Sequence, residues 1–255
     1  LAGSFSLIVW GVRGFETSLI FLLISSIYVL TTSAPFGTSR RLAVFGLIFL
    51  GVITRDDFAV FAVLYAILLS LFILLMRHWV YSTWAVPATL AISAVVSFVI
   101  KVAFRLSYFA DVFPNTYYLK VYGHDKIIVI ARGLLGLFGN ALAVFAPIIL
   151  VLMLFFFWSR SSWLESISFR KELDSHLIVA SLLTYSALVG GDAWEWSKLA
   201  NRFTCAALPF ILLNFIQYVE IFAQSDRIKV PLSRKKMADI LPVYILLLPA
   251  FWGFG

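Results

Sequence analysis

Apolar runs alternate with short polar turns along the whole chain. Crossing the hydrocarbon core of a bilayer as a helix takes about 20 apolar residues, with a range of about 17–25. On that measure the pattern predicts helices over 15–30, 42–53, 58–76, 80–102, 127–158, 177–189, 203–222 and 238–252. The runs at 42–53 and 177–189 are short for a span and require flanking residues or local thinning of the bilayer. The run at 127–158 is long enough to tilt, or to break near Gly139-Asn140 or Pro147. Pro87 removes a backbone donor inside its run and predicts a kink there. Polar loops are expected at about 105–126, 160–171, 190–202 and 227–236. The expected architecture is an all-α, polytopic transmembrane helix bundle of about eight spans, with residues 1–255 forming one transmembrane domain.

Composition points the same way. Of 255 residues, 62% are hydrophobic and 13% charged, and mean hydropathy is +0.98. Soluble domains are about 45–50% apolar and about 25% charged, so this chain has too little polar surface to cover a globule in water. A formal charge of +7 in so apolar a chain fits cations that hold loops at an anionic membrane face or bind phosphate. No nucleic-acid partner is expected. The single cysteine, Cys205, excludes an intrachain disulfide and a cysteine-based metal site. His78, His124 and His176 are scattered, and there is no P-loop pattern, so no cofactor is expected and a divalent metal is left open. The chain opens on Leu1 rather than Met and shows no signal peptide, which reads as an internal fragment of a longer protein.

Helices that alternate across a bilayer assign each loop to a side. One side receives Arg40, Arg41, Arg77, Arg160, Arg170, Lys171, Arg227, Lys229, Arg234, Lys235 and Lys236, eleven of the 20 Lys and Arg. The positive-inside rule makes that side cytoplasmic. The polar clusters of unusual composition then share the other, extracytoplasmic face.

Thr54-Arg55-Asp56-Asp57 is wedged between two apolar runs. Three adjacent charges there make either an interfacial turn with an internal ion pair, or a site where Arg55 meets a phosphate or sugar while an Asp orients it or contacts a hydroxyl. Arginine suits phosphate because its planar fork donates two parallel hydrogen bonds. Arg105-Leu106-Ser107-Tyr108 through Pro114-Asn115-Thr116 to Lys120 interleaves rings with polar groups. That mixture serves as an interfacial aromatic anchor, or as a cleft in which rings stack on sugars and cations hold phosphate. Gly190-Gly191-Asp192-Ala193-Trp194-Glu195-Trp196, followed by Arg202, is a third dense cluster. Paired glycines permit positive φ and close approach, while Asp192 also suits a helix N-cap and the indoles an aromatic belt. Glu16, at the start of the first helix, is explained by the dipole alone.

Taken in order, these clusters resemble the bacterial GT-C membrane glycosyltransferases related to the terminal arabinofuranosyltransferases of mycobacterial cell walls. Gly14-Phe15-Glu16-Thr17 is similar to that family's Gly-x-Glu-Thr, and Thr54-Arg55-Asp56-Asp57 to its Thr-Arg-Pro-Asp-Gly turn. Arg105, Tyr108, Pro114-Asn115-Thr116 and Lys120 resemble its Arg, Tyr and Pro-Asn-Thr stretch, and Gly190-Gly191-Asp192 with Arg202 its Gly-Gly-Asp segment. The sequence departs from the pattern at Asp56, where Pro is usual, at Phe58, where Gly is common, and after Asp192.

The resemblance implies a plasma-membrane glycosyltransferase of cell-envelope biogenesis. Its donor would be a polyprenyl-phosphate sugar, its acceptor an extracytoplasmic glycan or glycolipid, and the lipid bilayer its third partner. The general base would be an acidic residue upstream of Leu1, so no catalytic residue is assigned here. Arg55, Arg105, Lys120 and Arg202 become donor-phosphate candidates, and Asp57, Asn115 and Asp192 sugar-hydroxyl candidates. Glu16 and Tyr108 complete the substrate-binding set. The competing reading is a transporter or flippase for a lipid-linked sugar or anion, which places charge at the midplane, often at broken helices.

Overall fold

The computed structural model describes residues 15–33, 35–75, 81–112, 125–140, 169–190, 205–214 and 216. Among these residues there are seven helices and no strand. In chain order they are α1 (Phe15–Thr32), α2 (Thr38–Thr54), α3 (Asp57–Leu75), α4 (Tyr81–Phe109), α5 (Lys126–Asn140), α6 (Phe169–Leu188) and α7 (Cys205–Asn214).

The all-α class therefore holds for the described residues, but eight spans do not. Two helices are long and apolar enough to cross a membrane by length and composition: Asp57–Leu74 in α3, with mean hydropathy 2.5, and Trp84–Phe109 in α4, with 2.0. The apolar stretches of α1 and α7, Glu16–Thr32 and Cys205–Asn214, are shorter. α2 has 17 residues and carries Arg40 and Arg41 near its start. α6 has 20 residues, but its opening Phe169-Arg170-Lys171-Glu172-Leu173-Asp174 dilutes its apolarity. The expected helix at 238–252 lies outside the described residues.

Two boundaries differ from the sequence reading for a shared reason. The charged stretch before Leu177, expected as loop, is the first part of α6. Arg, Lys, Glu and Leu are all strong helix formers, whatever they do to hydropathy. Likewise α4 does not stop near Val102 but continues to Phe109, carrying Arg105 and Tyr108 on helix rather than loop. Phe104 and Tyr108, one turn apart, stack with ring centroids 5.9 Å apart. The helix ends where Ala110 adopts φ 56°. Pro87 lies inside α4 without ending it.

α2 and α3 form a hairpin whose connection is Arg55-Asp56. Gly51 makes that hairpin tight, since a Cβ there would overlap the Phe58 ring. The opposite turn, between α1 and α2, is held by Arg40, which donates to the carbonyls of Ser33 and Pro35. α4 packs on both α2 and α3, and α6 packs on α1, α3 and α5. The core gathers Ile24 and Ile27 of α1, Ile48 of α2, Tyr65 of α3, Leu90 of α4 and Ile178 of α6. Tyr28 of α1 meets Phe210 of α7 edge to face at 5.7 Å, bringing α7 into the same core.

The polarity of α4 is reversed relative to a helix in water. Its packed face includes Ser93 and Ser97, each 1% exposed, together with Leu90 and Ala94. Its outward face is Ile92, Val95, Val96, Val99 and Ile100, all exposed. Small residues on the inner face let α4 approach its neighbours closely, while the large apolar side chains point away from the protein.

Candidate functional site

Backbone geometry brings three consecutive charges to one end of the bundle. At the C-terminus of α2, Arg55 has φ −144° and ψ 131° and donates its N–H to the Gly51 carbonyl. The extended conformation breaks the helix there. α3 restarts two residues later, its first amides bonding back as Phe58 N to Arg55 O and Ala59 N to Asp56 O, both at 3.2 Å. Asp57 stands in the first turn of α3, where a carboxylate faces the positive end of the helix dipole.

Side chains on either side of that turn form two ionic triads. In the first, the Arg55 guanidinium grips Asp57 through two bonds, Nε to Oδ1 at 2.8 Å and Nη2 to Oδ2, and reaches Glu16 of α1 through Nη1 at 3.0 Å. Arg55 is 12% exposed and Glu16 47%. Burial works against the Arg55 charge. The hydrogen bond and charge of Asp57, with the charges of Glu16 and Tyr185, outweigh it and raise the guanidinium pKa above its ordinary value.

In the second triad, Asp56 sits between two cations of α4. Lys101 approaches its Oδ1 at 2.7 Å and Arg105 its Oδ2 at 2.7 Å. Lys101 also donates to the last carbonyls of α2, Val52 at 2.5 Å and Ile53 at 3.0 Å. An ammonium has three protons, and these three acceptors use them. Lys101 thus caps α2 from another helix, satisfying carbonyls that a helix end leaves without intrahelical partners.

Beside the first triad lies an open cleft. Its polar rim is Thr17, Arg55, Asp57 and Tyr185. Its apolar walls come from Ile20 and Ile24 of α1, Phe58 and Phe61 of α3, Leu182 of α6 and Ala206 of α7. α6 ends nearby at Gly190, whose φ of +77° closes the helix and whose carbonyl accepts from Arg132 Nε of α5 at 2.9 Å. With Gly at that position the left-handed conformation carries no side-chain penalty.

Of the residues singled out by sequence, the structure joins Glu16, Arg55 and Asp57 in one triad and places Arg105 on the adjoining one. Tyr108 stands apart, 74% exposed, stacked on Phe104 and edge to face with Phe109. Asn115, Lys120, Asp192 and Arg202 lie outside the described residues. Asp56 is marked in the sequence as one of three charges of the turn and as a departure from the family pattern but is not assigned to the site, and Lys101 and Tyr185 are not marked at all. Lys101 had a signal: it is a lone charge in the apolar run 80–102, and a charge in such a run is by default a functional or pairing residue. Thr17 belongs to the Gly14-Phe15-Glu16-Thr17 motif but has no role assigned by it, and Tyr185 has no signal, since only the packing of α1 against α6 brings the two to one cleft. Among the described residues, no group of three or more Asp, Glu, His or Cys is arranged to hold a metal ion.

No protein-family model matches the chain, and neither a curated protein nor a solved structure matches it.

Proposed function

We propose that the chain is the helical membrane core of a glycosyltransferase, GT-C-like in architecture, that moves a sugar from a polyprenyl-phosphate donor to an extracytoplasmic glycan or lipid. One observation carries the reading. Distant parts of the sequence, at α1, at the α2–α3 turn and at the end of α4, bring three cations and three carboxylates together at one end of an apolar bundle, next to a cleft. A transferase that meets a membrane-anchored donor and a polar acceptor needs its polar machinery at one interface, with apolar walls for the lipid. The outward stripe of α4 supports a lipid environment, because a contiguous apolar surface calls for a membrane or a partner. Loop charge favours the plasma membrane with this end outside. Glu16, Asp56 and Asp57 are each committed to a cation, so we place the general base outside this network, as the family resemblance implies.

The deciding experiment measures transfer from a labelled polyprenyl-phosphate sugar in membranes containing the full-length protein and its Asp57→Asn variant. The amide keeps the shape of Asp57 but loses its charge. Turnover is expected to fall at least about 100-fold, because Asp57 positions the Arg55 fork and a sugar hydroxyl, and a misplacement of about 1 Å costs that much. Undiminished transfer by a stably folded variant sinks the reading.

The transporter reading retains one specific observation. Asp174, on the second turn of α6, is 6% exposed inside the helical core, and carboxylates buried within membrane helices mark proton or ion pathways by default. Substrate translocation in sealed vesicles that is abolished by Asp174→Asn, with no sugar transfer at all, would establish that reading instead.

A further inference from the structure

The two triads have opposite net charge. Glu16, Arg55 and Asp57 sum to −1, because one guanidinium faces two carboxylates. Asp56, Lys101 and Arg105 sum to +1, because one carboxylate faces two cations. The cleft opens beside the negative triad, and its charged lining residues are Arg55 and Asp57. We infer that the Arg55 cleft receives an uncharged, polyhydroxylated group and turns phosphate away, while an anionic head docks against Arg105 on the α4 side. This rests on the reading that this end of the bundle handles lipid-linked sugars, and it assigns which chemistry each half takes.

The contacts explain why Arg55 is a poor phosphate ligand despite its type. Two of its N–H groups already donate to the Asp57 carboxylate, and Nη1 stands 3.0 Å from Glu16 as an ion pair. A phosphate entering the cleft would approach Asp57 as closely as Arg55 and meet like charge in a partly desolvated setting, where Coulomb terms are strong. A sugar hydroxyl meets no such penalty, because it donates to a carboxylate and accepts from a guanidinium. Thr17 and Tyr185 add hydroxyls to the rim, and Phe58 and Phe61 add apolar carbon to the wall.

The α4 side has the complementary character. Lys101 spends its protons on Val52, Ile53 and Asp56, so it contributes charge. Arg105 pairs with Asp56 through Nη2, and the remaining N–H donors of its five meet a phosphate oxygen. Phe104, Tyr108 and Phe109 are exposed around it and give an alkyl or prenyl chain rings to lie on. The shared ligand chemistry is a phosphate ester with an apolar chain.

The test uses two photoactivatable probes of equal alkyl length, a dodecyl maltoside and a dodecyl phosphate, added to the full-length protein in neutral-lipid nanodiscs. Crosslinks are mapped by mass spectrometry. The maltoside is expected on the peptides carrying Thr17–Ile24 or Leu182–Tyr185, with loss of labelling in the Thr17→Val/Tyr185→Phe double variant. The phosphate is expected at the end of α4, with loss in Arg105→Gln. Competition by polyprenyl phosphate but not by phosphatidylglycerol assigns that anion to a donor lipid, and the reverse assigns it to bulk phospholipid. Phosphate labelling of the cleft peptides overturns the charge division and leaves the transferase reading standing. If neither probe labels this end, both fall.

Discussion

Glu16 and Arg55, 39 positions apart in sequence, stand 3.0 Å from one another and tie the first turn of α1 to the turn between α2 and α3. The two ends of that bond are unequal: Arg55 is largely enclosed, and Glu16 is about half exposed. Water therefore screens the Glu16 arm, while Asp57 supplies the enclosed arm. Solvent-exposed pairs contribute about 0–1 kcal/mol, whereas removing one partner of an enclosed pair costs about 3–5 kcal/mol. Glu16→Gln should accordingly lower unfolding stability by less than about 1 kcal/mol, since its pair is screened. Thermal unfolding in detergent reads this directly, and a loss comparable to that of an Arg55 variant would show that Glu16 is a structural anchor.

Arg55→Ala removes the cation and strands two carboxylates, so the expected cost is about 3–5 kcal/mol. The double variant Arg55→Ala/Asp57→Ala strands only the screened Glu16 and should recover part of that loss. A double-mutant cycle isolates the coupling, expected in the range of about 1–3 kcal/mol for residues in direct contact. Strict additivity would mean that the fork between Arg55 and Asp57 contributes nothing to the fold. The cycle also guards transfer assays on Arg55→Ala, whose lost activity reports folding as well as chemistry.

Lys101 offers a sharper structural test, because all three of its acceptors are known. Lys101→Met keeps the length of the side chain and removes the ammonium, leaving the carbonyls of Val52 and Ile53 and one oxygen of Asp56 unserved. Hydrogen bonds to charged groups contribute about 1.5–3 kcal/mol each. Amide exchange at residues 52–59 should accelerate at least about tenfold, the factor that 1.4 kcal/mol of lost local stability produces. Unchanged protection there would mean that the end of α2 holds without its cap from α4.

Much of this site was legible in the sequence, and what was missed follows a physical pattern. The Arg55 turn announced itself because three charges between apolar runs must either pair or stay at an interface, and its neighbour Asp57 was within reach. Glu16 looked like a dipole effect because a helix start accounts for an acid locally; its partner is set by the packing of α1 and α2, which no local rule encodes. Lys101 was absorbed into a run judged by average hydropathy, a measure that conceals one charge among apolar residues. The same averaging turned Arg170 to Asp174 into loop, although those residues favour helix. Arg105 is expected in a loop, yet it lies on α4 one turn after Lys101, and only that position lets both cations share Asp56.

Gly51 sets how near α2 and α3 come at the start of this network. A Cβ at that position would overlap the Phe58 ring, so Gly51→Ala must push the ring off its seat or spread the hairpin. Overpacking of this kind costs about 1–3 kcal/mol. Phe58→Leu in the same chain removes the atoms in the way and should restore most of the loss, apart from the cost of the smaller side chain. Stability of the two single variants and the double variant checks this. If Phe58→Leu fails to rescue Gly51→Ala, the clash is not what makes glycine necessary.

The outward face of α4 decides whether the bundle lives in lipid. Ile92, Val95 and Val99 are 62%, 56% and 58% exposed, and they lie three and four residues apart, on one stripe of the helix. In water such a stripe would drive aggregation or recruit a partner; in a bilayer it is the natural exterior, with Ser93 and Ser97 turned inward where small residues allow helices to pack closely. Nitroxide labels at 92, 95 and 99 in reconstituted protein should therefore relax strongly with oxygen, which concentrates in hydrocarbon, and weakly with a water-soluble nickel chelate. A label replacing Tyr108, 74% exposed beyond the ionic triads, should show a shift toward the nickel reagent, because the charges of Lys101 and Arg105 place that turn at the interface. Nickel accessibility along the whole stripe would take α4 out of the membrane and leave the cleft at Arg55 without a lipid-borne substrate.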